Sequence, residues 1–334
     1  MNNKPKRRNK FVKGAIGLCF IGLVVWGGLS YGPTFYDEAI AQRFTPSSSM
    51  QEVIDRLSLT SKGKRILYAS QPQLQDKTAF NESCNSRERS AAILGCYYMR
   101  RIYVYNIENT ELTDAKPVTT AHEMLHAAYE RLSASERDRV DAMIERQYTR
   151  IKDEPIIQSM VSYYEKAEPG ERLNELHSII GTQVGDLTSE LEAYYGTYFA
   201  DRQTIVSMSD KYQAVFDTVN NEATQLQETI NAEKASLQAD MAQYQADMTT
   251  LNEEIRQFNS RAQAGEFSSE AAFNLARANV ISQQTALETR RVALNQRVQA
   301  YNDNIARLNT LAVRAQELNK SINGIEQSEG QVSW

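Results

Sequence analysis

From residue 219 onward, apolar residues recur at alternating steps of four and three: Val219, Ala223, Leu226, Ile230, Leu237, Met241, Tyr244, Met248, Leu251, Ile255, Phe258 and Ala262, with one longer step after Ile230. Such spacing keeps a stripe on one side of a helix and nowhere else. A glycine-containing break, AGEFSS at 264–269, interrupts the stripe, which resumes at Val280, Leu287, Leu294, Val298, Tyr301, Ile305, Leu308, Ala312 and Ala315. Two long helices joined by a short turn bury such seams by folding back on each other. Residues 203–324 are therefore expected to form an antiparallel coiled-coil hairpin, with 325–334 as a tail. No catalytic constellation lies on it. It reads as a spacer or packing arm, or as a surface for self-association or partner binding.

The N-terminus carries a different signature. Lys4, Lys6, Arg7, Arg8, Lys10 and Lys13 run directly into a stretch without charge from Gly14 to Tyr36. An apolar run of about 20 residues is long enough to cross the hydrocarbon core as a helix, and the basic residues before it hold the N-terminus in the cytoplasm. The expected order is a basic cytoplasmic segment over 1–13, a transmembrane signal anchor over 14–36 and a linker over 37–50. On that reading the protein is a single-pass cell-membrane protein whose remainder is extracytoplasmic, with Trp26, Tyr31, Phe35 and Tyr36 at the outer interface. Ala39-Ile40-Ala41 has the small-x-small form of a cleavage site, so a removed signal peptide is the competing reading. Both export the chain.

Cysteine usage agrees with export. Cys19 falls in the apolar run, which leaves Cys84 and Cys96 as a candidate disulfide, with two packed free thiols as the alternative. The formal net charge of -5 argues against a nucleic-acid partner, because phosphate recognition needs a concentrated basic surface.

Between these ends, residues 51–202 carry mixed signals. Met50 to Leu59 has helical spacing, while RILYAS at 65–70, AAILGCYYM at 91–99 and RIYVYNI at 101–107 read as strands from their β-branched and aromatic content. Helices follow from Pro117, from a cap at Ser135, and from Glu171 to Gly181. The fold class expected is α+β: a small sheet plus helices, placed after the membrane helix and before the coiled coil.

The chemistry is concentrated in VTTAHEMLHAAYERL at 118–132. Two of the chain's three histidines, His122 and His126, stand four apart with Glu123 between them. On a helix that spacing puts both imidazoles on one side, where they can bind one metal ion, and Glu123 projects beside them.

This H-E-x-x-H helix after a small sheet resembles the zincin metallopeptidases, over about residues 50–200. The resemblance implies Zn2+ on His122 and His126 and Glu123 as general base toward the attacking water. It also implies that RIYVYNI lines the cleft as an edge strand and pairs with an extended protein or peptide substrate. Tyr129 and Leu132 stand where the metzincin branch needs Gly and His. The segment Asn174-Glu175-Leu176-His177-Ser178 is similar to the second helix of the gluzincin branch, which implies Glu175 as third ligand; His177 is the rival, with Glu190 and Glu192 behind. The acidic residue that gluzincins often place a turn later is Ile179 here, so the support for a zinc histidine must come from elsewhere. Tyr194, Tyr195 and Tyr198 are candidate oxyanion donors. The function expected is a membrane-anchored zinc peptidase of the cell envelope; a catalytically inactive envelope scaffold acting through the coiled coil is the alternative.

Overall fold

The computed structural model describes residues 35–84, 94–154, 157, 158, 161 and 170–323. Of the expected anchor only Phe35 and Tyr36 fall among these, opening helix α1 (35–43); the rest of it, the basic segment before it and the tail over 325–334 lie outside the described residues. Among the described residues no helix is long and apolar enough to cross a membrane, and the single-pass membrane placement is withdrawn on that finding. The α+β reading is also corrected. Among the described residues helix makes up 78%, against one small three-stranded sheet.

RILYAS shows why. Helix α2 (Ser48–Asp55) is followed by Thr60, whose hydroxyl accepts from the Gly63 amide and starts helix α3 (Ser61–Ala69) straight through the expected strand. The cap and the helical spacing of buried Ile66, Leu67 and Ala69 outweigh local β preference.

The sheet has the order β1 (Gln73–Gln75), β3 (Arg101–Tyr105), β2 (Gly95–Tyr98), with β1 parallel and β2 antiparallel to the central strand. RIYVYNI is thus the central strand and not the edge; among the described strands, β2 holds the edge beside it. The hairpin loop is Met99-Arg100, with φ of 48° and 62°, the left-handed pair that a type I′ turn requires to follow the strand twist. Ile102 and Val104 face the main core, while Tyr103 and Tyr105 face helix α4 (Lys77–Cys84) with Phe80.

A Cys84–Cys96 disulfide ties α4 to β2 within that second cluster. Replacing both cysteines by serine is expected to cost about 2–3 kcal/mol, the entropy a short closed loop removes from the unfolded chain. A urea midpoint unchanged from wild type would mean that packing alone holds α4.

Among the described residues the core also takes in helices α5 (Ala115–Glu130), α6 (Ala134–Ile151), α7 (Arg172–Gln183) and α8 (Ser189–Tyr195). Ser133, not Ser135, caps α6, in a capping box with Glu136. Helix α7 runs past Gly181 because that glycine is used for close approach: a Cβ there would lie 2.4 Å from Leu125 Cδ1 and 2.7 Å from the Tyr195 ring. The approach presses α7 against α5 and decides which of its residues meet the histidines.

Two long helices follow, α9 (Arg202–Ala264) and α10 (Glu270–Ile322). The described residues divide into two compact units, those up to residue 215 together with those from 319 onward, and residues 216–318. In the second unit Leu226, Ile230 and Leu311 pack with Ala223, Tyr301, Ile305 and Leu308. Arg297 pairs with Glu233 and Asp240, Arg290 with Asp247, and Gln283 donates to Glu254. Acceptors rise by heptads while donors fall by heptads, so this ladder fixes an antiparallel register. Met241 and Met248, placed in the seam by their spacing, are 53% and 40% exposed. Asp240 and Asp247, one residue earlier, take the flank that meets the other arm.

Candidate metal centre

Helix α5 presents His122 and His126 on one face, with Nε2 atoms 3.0 Å apart. Helix α7 brings Glu175 to the same point: Oε2 lies 3.7 Å from His122 Nε2 and Oε1 lies 3.5 Å from His126 Nε2. These three residues form a group that can hold a metal ion, with one donor atom from each and all donors within 4.8 Å of one another.

The donor set fits a small divalent cation. A tetrahedral ion with nitrogen ligands at about 2.05 Å separates its donor atoms by about 3.3 Å, and the observed spacings bracket that value. Glu175 is buried, and its Oε2 has no hydrogen-bond partner among the described residues, a costly state for a carboxylate oxygen that a cation would relieve. Burial raises the Glu175 pKa, but the His126 and His122 imidazoles beside it outweigh that and hold it below the ordinary carboxylate value. Glu175 is therefore held as a carboxylate.

One histidine has visible support. Asn174 Nδ2 donates to Glu171 Oε2 at 3.2 Å, which leaves Oδ1, 3.0 Å from His126 Nδ1, as the acceptor for an Nδ1–H. In neutral His126 that tautomer frees the Nε2 lone pair to face His122 and Glu175. The support missing at Ile179 thus comes from Asn174, the residue before Glu175. Asn174 stood in the sequence beside Glu175, but nothing in its spacing announced a contact with a helix 48 positions earlier.

Glu123 is 5% exposed and packs against strand β2. A Cβ on Gly95 would lie 2.8 Å from Glu123 Cγ, 2.9 Å from its Oε1 and 2.5 Å from Thr119 Cγ2. The edge strand crosses the glutamate where it has no side chain, a role for Gly95 that sequence reading missed.

His177 is not brought to the cluster. It is fully buried, its Nε2 lies 2.9 Å from Tyr194 Oη, and its ring packs among Tyr129, Tyr194 and Tyr195. Burial first, then the charges of His126 and His122, push its pKa down to about 3, so it is neutral at ordinary pH. The tyrosines considered as oxyanion donors are occupied around it: Tyr195 Oη donates to the His177 carbonyl at 2.7 Å, and Tyr198 Oη to Tyr194 Oη at 3.3 Å. Glu190 pairs with Arg146 and Glu192 with Arg202, away from the histidines.

Comparison of the chain with protein-family models, with curated proteins and with solved structures found no match.

Proposed function

We propose that residues 51–202 form a zinc-dependent peptidase of zincin type. The observation that carries the reading is the His122, His126 and Glu175 cluster, with Glu123, the residue after His122, packed under the edge strand. A zinc ion on those three residues would supply Lewis-acid chemistry, polarising a scissile carbonyl and acidifying water. His126 is kept in the ligating tautomer by Asn174, and Glu175 supplies the anionic ligand. Glu123 takes a proton from the attacking water and delivers it to the departing amine. An extended peptide can lie along the side of β2 that has no partner strand among the described residues, where main-chain hydrogen bonds fix it independently of its side chains.

The test is metal content per full-length chain for wild type, Glu175→Ala and His177→Ala after zinc is offered and excess removed. One zinc per chain in wild type and His177→Ala, and none retained by Glu175→Ala, is expected. Cleavage of a mixed peptide pool should follow zinc loading and stop with a chelator. A wild type that binds no metal would sink the reading.

A further inference from the structure

The far end of strand β2 is fastened to the end of helix α5 through Arg131, which bonds Tyr97 and pairs with Asp37 in a part-buried contact that the proposed chemistry does not use. Arg131, the residue after α5, donates from Nη1 to the Ala127 carbonyl at 2.8 Å and to Tyr97 Oη at 3.0 Å, and from Nε to Asp37 Oδ2 at 2.7 Å. Asp37 comes from helix α1, and its Oδ1 also accepts from Arg100 Nη2 at 2.7 Å, at the hairpin tip. Both side chains of the Arg131–Asp37 pair are 12% exposed. One carboxylate therefore joins α1, the β2–β3 turn and the end of the helix that carries His122 and His126.

From this geometry we infer that Tyr97, Arg131 and Asp37 are positioning residues that hold the distal half of β2 at a fixed distance from α5, and so set the subsites that an extended peptide occupies beyond its first residues. The inference rests on the peptidase reading. Strand β2 is fastened at two places. Its near end is Gly95 against Thr119 and Glu123, with Cys96 bridged to α4. Its far end is Tyr97, on the same sheet face as Gly95 because the two alternate with Cys96, and held there by Arg131. Releasing only the far end leaves the glutamate and the ligands in place and frees the strand where longer substrates reach. A lysine at 131 has no planar fork with which to bond Asp37, Tyr97 and Ala127 together, so it does not substitute.

The experiment compares full-length, zinc-loaded wild type with Tyr97→Phe, which loses one hydroxyl and keeps its ring, and with Arg131→Lys. Amide hydrogen exchange over residues 95–98 should quicken about 10-fold in both variants with zinc content unchanged, as expected when one local anchor of an edge strand is lost. KM for an eight-residue peptide should rise about 5- to 10-fold with kcat within about twofold, while kinetics on a three-residue peptide stay as in wild type; this is loss of uniform binding confined to the far subsites. Unchanged exchange in Tyr97→Phe, or an equal change on short and long peptides, overturns the inference. A wild type that loads zinc and cleaves neither peptide overturns the peptidase reading and the subsite role with it. Faster exchange in Tyr97→Phe would then mark the fastening as structural only.

Discussion

Glu123→Gln is expected to lower kcat for peptide hydrolysis by about 10³-fold or more, near the upper part of the range for loss of a positioned general base. The substitution keeps shape and volume and removes the charge and the ability to take a proton. Glu123 is buried between helix α5 and Gly95, so a smaller residue would leave a void under the edge strand and confuse loss of packing with loss of chemistry. The proposed metal ligands His122, His126 and Glu175 are untouched, and zinc per chain should remain that of wild type. KM should change little, because the group acts on the proton of the attacking water and not on the bound peptide. Turnover within about tenfold of wild type, at full zinc occupancy, would remove Glu123 from the mechanism. Loss of zinc together with activity would instead mean that the carboxylate helps to hold the ion.

What the sequence made legible differs between elements for physical reasons. The His122, Glu123 and His126 spacing is a local property of one helix, so the side they share follows from 3.6 residues per turn. Glu175 could be named only through a resemblance, because the contact between α5 and α7 depends on Gly181 admitting Leu125 and Tyr195, which no period in the sequence encodes. Asn174, Gly95 and the Tyr97–Arg131–Asp37 fastening are tertiary contacts of the same kind. RILYAS is helix and not strand because a cap at Thr60 decides against local propensity. Strand content does not tell a centre from an edge: RIYVYNI is paired on both sides. In the coiled coil, hydrophobic spacing alone put Met241 and Met248 in the seam, whereas the heptad ladder of acids against Arg290 and Arg297 shows how the arms are turned. Charge patterning at seven-residue intervals was in the sequence and would have found it.

Gly95→Ala should cost about 100-fold in kcat, the loss that follows when a reacting group is displaced by about 1 Å. A methyl at this position would start 2.5 Å from Thr119 Cγ2 and 2.8–2.9 Å from Glu123 Cγ and Oε1, inside van der Waals contact on both sides. Something must move. Strand β2 is held by its register with β3 and by the Cys96 bridge, whereas the Glu123 carboxylate lies at the end of a flexible side chain. Thr119 must shift as well, but the Glu123 carboxylate is the yielding part that has to be in place for proton transfer. The three closest contacts of the methyl are with Thr119 and Glu123 and not with His122, His126 or Glu175, so zinc content should not fall. A double-mutant cycle separates this account from general damage to the fold: if Gly95→Ala acts through Glu123, adding it to Glu123→Gln should cost little more activity than Glu123→Gln alone. Additive losses would place the effect of the methyl group in the strand or at Thr119, and unchanged activity in Gly95→Ala would show that Glu123 works from a position other than the one under the edge strand.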